Sequence, residues 1–338
     1  MNARVTMRDV AKIAGVSPMT VSRALKSDSS VNEKTRKLVR DTASQLGYVY
    51  DSTAQAFRSQ RSGFIALTLP SINNANFAAT HKAMTSALED TDLQLLLGIT
   101  NYDVHQEERM IKQLLARRPD AVILTGGTHT DDTRKLLETV SVPIFEMWDV
   151  PSAPLGHVVG FSNHDAMEHI VAHLAEIGCR RLGFVGANAD SDFRGHDRRL
   201  GTIAAAQKFG LDPVVVFDTG PAPATMTNGF EVVGQQIEGV KQLDALVCVS
   251  DPVAFGAMMA LRAHGLDAPD DIAVTGFGNF EVARICQPSI TTLDVGAAHI
   301  GATVANLARQ ILFDEHDAQT PVLEKTQANL LVGRSSRA

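Results

Sequence analysis

The sequence predicts an all-α head within residues 1–62, followed by an α/β core with two similar parallel-sheet subdomains over residues 63–338. Three observations indicate this fold class. The first part carries apolar residues at helical spacing around a glycine turn. From Gly63 onward, short apolar runs alternate with amphipathic stretches, and this pattern repeats after residue 163. Repeated βα units of this kind form parallel sheets covered by helices.

Charge is divided unevenly between the two parts. Residues 1–62 hold 11 Lys and Arg against 5 Asp and Glu, a local charge of +6, although the whole chain carries −7. The remaining 276 residues therefore carry −13. A basic head on an acidic body is typical of a head that binds a polyanion, although charge alone is equally compatible with a solvated basic surface.

The first two helices of the head are expected on either side of a tight turn. Thr6 can cap the first helix, and Gly15 ends it with the positive φ that a tight turn needs. Ser17 can cap the second helix, with Pro18 in its first position. The first helix carries an apolar stripe of Val10, Ile13 and Ala14.

The second helix is expected to present a polar face and to be followed by a third helix. Its inward residues are Val21, Ala24 and Leu25, and its outward residues are Met19, Thr20, Ser22 and Arg23. The third helix, over residues 33–46, follows the cap Asn32. Its inward residues are expected to be Leu38, Val39, Ala43 and Leu46. This arrangement is a helix-turn-helix domain, whose second helix enters the major groove of DNA. The alternative is a small helical bundle without a DNA role.

The stretches TMRDVAKIAGVSPMTVSRAL and VNEKTRKLVRDTASQLGY resemble the DNA-binding head of the lactose-repressor (LacI/GalR) family, and the rest of the chain resembles that family's core. The resemblance implies that Pro18, Met19 and Arg23 face the bases. Arg23 suits O6 and N7 of guanine, whereas Met19 offers only apolar contact, for instance to a thymine methyl. The positions that match phosphate contacts are Thr6, Thr20, Ser22, Asn32, Thr35 and Tyr48.

Residues 50–62 are expected to form a hinge. In the resembled family this segment becomes helical on DNA, and an apolar side chain from each subunit wedges into the minor groove; Phe57 stands at that position, with Ala54 and Gln55 beside it. Tyr50 replaces a common Pro, and Asp51 replaces a frequent phosphate-contacting Asn, where a carboxylate would be repelled. The alternative is a plain linker.

The core is expected to contain eight strands in two sets. The first set comprises residues 64–69, 93–99, 121–125 and 142–147, and the second comprises 181–186, 213–217, 245–249 and 272–277. Helices are expected between them, for example over 77–90 and 104–118. The resemblance implies a periplasmic-binding-protein-like core in which the chain crosses between subdomains near 161, 293 and 322.

These patterns divide the chain into three parts. The DNA-binding domain covers residues 1–49, the hinge covers 50–62 and the effector-binding and dimerisation core covers 63–338. The N-subdomain is expected to comprise 63–161 and 294–321, and the C-subdomain 162–293 and 322–338.

Loops after the strands are the expected ligand site, because ligands of such folds bind at the carboxyl ends of the strands. The resemblance implies effector contacts by Asn76, Phe77, Thr125, Asp149, Arg198, Ser250, Asp251 and Asn279. Arg198 lies in RRLG, which matches the family's R-x-x-G and places it at the effector arginine. For Arg198 the alternative is an ordinary surface residue, and for Asp251 it is a cap of the helix over 253–265.

Two departures from the family pattern indicate an acidic ligand. Members that bind neutral sugars commonly carry Asp where this chain has Gly278, within GFGN. Ala224 stands at the position of an aromatic stacking residue. Loss of a carboxylate beside a retained arginine favours a ligand with its own carboxylate. The stretches LTGGTHTDDT and EMWDVPSAPLGHVVGFSN also resemble the gluconate-repressor branch. We therefore expect gluconate or a related sugar acid, with a neutral sugar as the alternative.

Enzymes and exported proteins are the classes that the sequence disfavours. It contains no G-x-x-x-x-G-K-[ST], no H-E-x-x-H and no G-x-S-x-G. Cys179, Cys248 and Cys286 lack metal-like spacing, so no cofactor or metal is expected. The first residues lack the apolar core of a signal peptide and no stretch approaches a membrane span. We expect a cytoplasmic protein without membrane contact.

The sequence therefore predicts a sequence-specific DNA-binding repressor of carbohydrate or sugar-acid catabolism genes. A homodimer is expected on a palindromic operator, because two-fold symmetry matches paired half-sites; the ending LLVGRSSRA, without leucine heptads, argues against a coiled-coil tetramer. Ligand binding between the subdomains is expected to separate the paired hinges and release DNA. Corepression, an activator role and a soluble sugar-binding protein without a DNA role remain alternatives.

Overall fold

A computed structural model of the chain describes residues 5–25, 30–49, 61–187, 192–313 and 320–336. The chain divides into two compact units, the head (Met1–Ser62) and the core (Gly63–Ala338). The head has an apolar cluster of its own, separate from those of the core. Within the described ranges, no helix has the length and apolar character that crossing a membrane requires.

The head contains three helices whose ends follow from local sequence. They are α1 (Met7–Ala14), α2 (Pro18–Leu25) and α3 (Glu33–Leu46). The backbone N–H of Thr6 donates to Oδ2 of Asp9 (2.9 Å), and Gly15 ends α1 with a φ of 66°. The side chain of Asn32 caps α3 by accepting a hydrogen bond from the N–H of Thr35 (2.9 Å). The predicted helix–turn–helix order is confirmed.

The apolar core of the head differs in part from the expected one. Its buried apolar residues are Val10, Ala11, Ala14, Val21, Ala24, Val31, Val39 and Ala43. The inward placement of Ile13 and Leu38 was wrong, because their residues are 61% and 49% exposed. The smaller Ala11 and Thr42 are buried instead, at positions next to or near the predicted ones in the same helices.

The N-subdomain is built on a six-stranded parallel sheet. Its strands are β1 (Phe64–Leu69), β2 (Gln94–Ile99), β3 (Ala121–Thr125), β4 (Ile144–Met147), β5 (His157–Gly160) and β11 (Leu323–Lys325), in the order β11-β5-β4-β3-β1-β2. Its helices are α4 (Ala75–Ala87), α5 (Val104–Leu115), α6 (Asp131–Glu138) and α13 (Ala297–Leu312). Successive strand residues point to opposite faces, so Ile65 belongs to one apolar cluster and Ala66 to another. Both faces of the sheet are therefore covered, as a parallel sheet requires.

The C-subdomain repeats this architecture around a four-stranded parallel sheet. Its strands are β6 (Leu182–Gly186), β7 (Val215–Asp218), β8 (Ala245–Cys248) and β9 (Ala273–Thr275), in the order β7-β6-β8-β9. Its helices are α7 (Asn163–Glu176), α8 (Phe193–Lys208), α9 (Met226–Gln235), α10 (Ile237–Val240), α11 (Asp251–Ala263) and α12 (Glu281–Ile285). Gly201 lets α8 approach α7, because a Cβ there would lie 2.1 Å from the carbonyl oxygen of His164.

The third crossing between subdomains lies a few residues after the predicted position near residue 322. Strand β11 pairs in parallel with β5 in the N-subdomain sheet, and the N–H of Thr326 donates to the carbonyl of Gly160 (2.7 Å). The chain then forms β12 (Asn329–Leu331), which pairs antiparallel with β10 (Thr292–Asp294). The boundary was misplaced because β11 is an exposed three-residue edge strand without an apolar run.

All eight strands expected in the core are present, with ends that shift by up to a few residues. The fold class, a helix-turn-helix head with a two-subdomain parallel α/β core, is confirmed. The sequence analysis missed β5 and β10–β12, which are only three or four residues long. Segments this short carry too few residues for a recognisable apolar pattern.

Candidate functional site

Helix α2 presents the side chains that were expected to face the bases. The N–H of Thr20 donates to Oγ of Ser17 (3.1 Å), which fixes the start of the helix, and Pro18 occupies the first turn. Met19 is 55% exposed and Arg23 is also exposed. An exposed guanidinium and an apolar side chain on one short helix can both reach base edges.

Two residues that were expected to face outward on α2 are less accessible. Ser22 is buried, with 9% of the residue exposed, so its outward placement was wrong. It lies next to the fully buried Val21 and belongs to the inner side of the helix. Thr20 is half-buried, and its hydroxyl shares a 2.9 Å hydrogen bond with that of Ser17.

The other expected DNA contacts of the head lie near helix ends. Thr6 precedes α1, Asn32 and Thr35 lie at the start of α3, and Tyr48 follows its end. Helix N-termini offer backbone N–H groups to phosphate oxygens. Tyr48 also packs against the apolar cluster of the head. Tyr50, Asp51, Ala54, Gln55 and Phe57 lie outside the described residues.

The main candidate ligand site in the core is a cavity of about 340 Å³, which we call the cleft cavity. Loops from both subdomains line it, at the carboxyl ends of their strands. Three residues expected from the sequence are among its walls: Phe77 from the N-subdomain, and Arg198 and Ser250 from the C-subdomain. A concave site with an apolar wall and a few polar groups is the usual form of a small-molecule site.

Arg198 is held rigidly beside this cavity. Its Nε donates to Oδ1 of Asn163 (2.9 Å) and its Nη1 donates to the carbonyl of Val249 (2.9 Å). The guanidinium carbon lies 3.7 Å from the centre of the Phe277 ring. Burial lowers the pKa of Arg198 to about 10, so the group stays charged at neutral pH. Both hydrogen-bond acceptors are neutral, and the Asp192 and Asp149 carboxylates act on Arg198 only through their charges, so no carboxylate bonds directly to the guanidinium.

Arg194 also lines the cavity and was missed by the sequence analysis. It is buried, its Nη1 donates to the carbonyl of Thr125 (3.3 Å), and its guanidinium lies 5.5 Å from the centre of the Phe77 ring. The signal was present, because Arg194 and Arg198 are four residues apart and hence on one face of a helix.

Tyr102 is another cavity residue that the sequence did not reveal. It lies in the loop after β2, where Asn101 and Tyr102 have φ values of 51° and 62°. Burial raises the pKa of the Tyr102 phenol, which therefore stays protonated and can donate a hydrogen bond. Left-handed conformations at non-glycine residues occur often at functional sites, but one sequence gives no sign of them.

The remaining N-subdomain candidates lie around the cleft cavity rather than in its wall. Nδ2 of Asn76 donates to the carbonyl of Gly278 (2.9 Å), a bond that joins the two subdomains. Asn76 lines a neighbouring void of about 40 Å³, and Thr125 and Asp149 line a second void of about 40 Å³. The Thr125 hydroxyl already donates to the carbonyl of Thr68 (2.6 Å).

Asp251 and Asn279 do not line the cleft cavity. Asp251 is fully buried, and its Oδ2 accepts a hydrogen bond from the N–H of Phe280 (2.7 Å). Burial raises the pKa of Asp251 to about 6. Asn279 has a φ of 51°, and its backbone N–H donates to the hydroxyl oxygen of Thr292 (3.3 Å). Both residues thus fix the loop that carries Phe280 to the cavity wall, a role that needs no contact with a ligand.

Gly278 cannot be replaced by a residue with a side chain without rearrangement. Its φ is +114°, and a Cβ would lie 2.7 Å from Nδ2 of Asn76 and 2.6 Å from Cε2 of Phe280. The absence of a carboxylate at this position is therefore built into the local backbone, because Asn76 and Phe280 fill the space that it would need.

A buried charge cluster supports the loop after β3. Nδ1 of His129 lies 2.6 Å from Oε2 of Glu107, and its Nε2 lies 3.3 Å from Oε1 of Glu146. Burial alone would lower the pKa of His129, but the hydrogen bonds and charges of the two carboxylates raise it to about 9. His129 is therefore charged at neutral pH and ties residues 125–130 to α5 and β4.

Comparisons with known proteins agree with both halves of the chain. Residues 6–51 match the model of bacterial regulatory proteins of the lacI family, and residues 171–336 match the periplasmic binding protein-like domain. The HTH-type transcriptional regulator GntR of Pseudomonas aeruginosa is 34% identical over 303 residues, which cover 89% of this chain and 88% of that protein.

Solved structures show the same likeness. A LacI-family transcriptional regulator from Silicibacter pomeroyi is 29% identical with a TM-score of 0.89, over 98% of this chain and all of that one. The lac repressor dimer bound to operator and the anti-inducer ONPF has a TM-score of 0.85 at 23% identity, over 99% of this chain and all of that one. With the helix-turn-helix head, the two-subdomain core and a relative this similar, the chain belongs to the lacI family of bacterial regulatory proteins, which are DNA-binding transcriptional regulators rather than enzymes.

Proposed function

We propose that the protein is a transcriptional repressor whose operator binding is weakened when a sugar acid, gluconate or a close relative, binds in the cleft cavity. The observation that carries the ligand class is Arg198 in the cavity wall, without a carboxylate in direct contact, in a chain that has glycine and not aspartate at position 278. A guanidinium binds a ligand carboxylate through two parallel hydrogen bonds, which a neutral hydroxyl cannot reproduce.

The size and shape of the cavity support a small ligand. A volume of about 340 Å³ lies at the lower end of the range for small-molecule sites. Phe77 offers an apolar wall, and Ser250 and Tyr102 offer hydroxyl groups. Ala224, at the position where other family members carry an aromatic stacking residue, also lines the cavity and offers no ring there. An open-chain polyhydroxy acid needs hydroxyl partners more than a flat stacking surface.

The roles of the expected effector residues follow from their positions. We assign direct ligand contact to Phe77, Arg198 and Ser250 in the cavity wall. Asn76, Thr125 and Asp149 lie around the cavity and would reach a ligand only after the cleft rearranges. Asp251 and Asn279 position the loop before Phe280.

On the DNA side, the proposal assigns base contacts to Arg23 and Met19, with Pro18 at the start of the recognition helix. The net charge of +6 on residues 1–62 favours the polyanion. We further propose that residues 50–62 form the hinge, that Phe57 wedges into the minor groove and that two chains bind a palindromic operator. The operator-bound lac repressor of similar fold is a dimer, which supports the last of these.

Fluorescence anisotropy tests the proposal. The protein is titrated onto DNA from upstream of its own gene and onto a scrambled duplex, at one fixed salt concentration, with and without gluconate. We expect preference for the upstream DNA and a gluconate-induced loss of about 5- to 150-fold in affinity, the usual size of allosteric coupling. Tighter binding with gluconate would favour corepression. Specific binding that is indifferent to gluconate would refute the ligand, and absence of specific binding would refute the proposal as a whole.

A further inference from the structure

Helix α8 directs two guanidinium groups into one space. Arg194 and Arg198 are one helical turn apart, and both line the cleft cavity and the neighbouring void of about 40 Å³. Their charges act on each other, since the charge of Arg194 contributes to lowering the pKa of Arg198. Two like charges therefore share a partly buried site.

Neither guanidinium has a carboxylate as a direct hydrogen-bond partner among the described residues. Arg194 donates to the Thr125 carbonyl, and Arg198 donates to an amide oxygen and a carbonyl, all of which are neutral acceptors. Among the described residues neither guanidinium forms an ion pair with a carboxylate. Within that part of the chain, Asp192 is the one acidic residue in the wall of the cleft cavity. Buried charges are usually paired, whereas these two guanidinium groups have no carboxylate in direct contact and only the nearby Asp192 and Asp149 charges acting on Arg198.

The loop opposite α8 is shaped around Arg194. Gly126 has a φ of +105°, and a Cβ there would lie 2.9 Å from Nη1 of Arg194. A glycine at this position both adopts the left-handed conformation and leaves room for the guanidinium. The loop after β3 therefore accommodates the charged end of Arg194 at the cavity wall.

We propose that Arg194 is a second ligand-binding arginine, and that a ligand carboxylate bridges the guanidinium groups of Arg194 and Arg198. This inference rests on the proposed function and narrows its ligand class. A bridging carboxylate places a negative charge in direct contact with both guanidinium groups and forms charge-assisted hydrogen bonds with them. A neutral polyol of the same length can accept hydrogen bonds but leaves the two positive charges facing each other. Arg194 thus selects acids over the corresponding alcohols.

The position of Arg194 also connects the ligand to the cleft. Its 3.3 Å bond to the Thr125 carbonyl joins α8 of the C-subdomain to the end of β3 in the N-subdomain. A carboxylate at Arg194 competes with this carbonyl for the same N–H groups. The charged end of the ligand therefore binds at a contact between the two subdomains.

Isothermal titration calorimetry on the full chain tests the inference. The two ligands are gluconate and sorbitol, which differ at one terminal carbon, a carboxylate in gluconate and a hydroxymethyl group in sorbitol. The variants are Arg194→Gln, Arg194→Lys and the control Arg199→Gln. Arg199 follows Arg198 on the same helix and bonds to His196 (2.9 Å) outside the cavity wall. We expect Arg194→Gln to weaken gluconate binding by about 10- to 100-fold, the range of a lost hydrogen bond to a charged group. Sorbitol affinity should be unchanged, Arg194→Lys should recover part of the loss, and Arg199→Gln should resemble the wild type.

The possible failures point to different errors. Equal weakening of gluconate and sorbitol, without rescue by lysine, would assign Arg194 a purely structural role and overturn the inference. Unchanged gluconate affinity in Arg194→Gln would overturn it as well, while the proposed ligand class stands. A wild type that binds sorbitol or another neutral sugar in preference to gluconate would overturn both. Thermal unfolding of Arg194→Gln beside Arg199→Gln shows whether the variant is folded.

Discussion

Replacement of His129 by glutamine tests the buried charge cluster under the cleft. The imidazolium lies between Glu107 and Glu146, its side chain is fully buried, and Glu146 also accepts the N–H of Leu155 (2.6 Å). Glutamine can keep one hydrogen bond but carries no charge. The variant therefore leaves two carboxylates close together in the interior without the cation between them.

The magnitude follows from the pKa of His129. A shift from 6.5 to about 9 corresponds to about 3 kcal/mol, and loss of one partner of a buried ion pair typically costs roughly 3–5 kcal/mol. Because the folded-state pKa is raised, this stabilisation is fully present below about pH 6.5 and is lost as the pH rises through about 9. We expect His129→Gln to lower the melting temperature of the core at pH 7 by roughly 6–12 °C.

Thermal unfolding from pH 6 to pH 10 measures this effect, with His105→Gln as the matched control. His105 is exposed near the start of α5. The difference between the wild type and His129→Gln should shrink above about pH 9, whereas His105→Gln should follow the wild type throughout. A His129→Gln variant as stable as His105→Gln, or a difference that does not change with pH, would refute the reasoning.

Three further predictions concern the recognition helix, a buried carboxylate and a helix contact. Arg23→Ala should cost about 1–3 kcal/mol of operator affinity and relax specificity at one base pair; an unaffected sequence preference in anisotropy titrations would remove Arg23 from base recognition. Burial raises the pKa of Asp251 from 3.8 to about 6, so the folded state favours the protonated carboxyl. As the pH rises from about 4 to about 7, the wild type should therefore lose about 3 kcal/mol of stability. Asp251→Asn should not show this loss in urea unfolding, and parallel pH curves would contradict it. Gly201→Ala should destabilise the core by about 1–3 kcal/mol, because its Cβ meets the His164 carbonyl. Gly239→Ala, where a Cβ meets nothing, is the control, and equal stability of the two would contradict the close approach.

The sequence predicted the elements that carry strong local signals. Caps such as Asn32 and glycine ends such as Gly15 set the helix boundaries, and long apolar runs such as residues 121–125 set the strands. These signals lie within a few residues of the element that they define. Strand β11, in contrast, forms through its pairing with β5, and its own three residues carry little sequence signal for a strand.

The candidate site could be predicted only in part for a similar reason. Arg198 lies in a recognisable motif, and the structure places it in the cavity wall. Arg194 shares a helix face with Arg198, a signal that the sequence analysis did not use, whereas Tyr102 enters the wall through a left-handed loop conformation that one sequence does not reveal. The burial of Asp251 is likewise a tertiary property, because its partners Phe280 and Thr292 lie about 30 to 40 residues away in the chain.

The most direct test of the account compares the wild type with Arg198→Gln in anisotropy titrations on the same upstream DNA. Both proteins should bind this DNA alike without ligand, since Arg198 lies in the core and not in the head. Gluconate should weaken DNA binding by the wild type and have little effect on the variant. Equal release of both proteins by gluconate, or no release of either, would contradict the claim that a ligand at the core arginine controls the DNA-binding head.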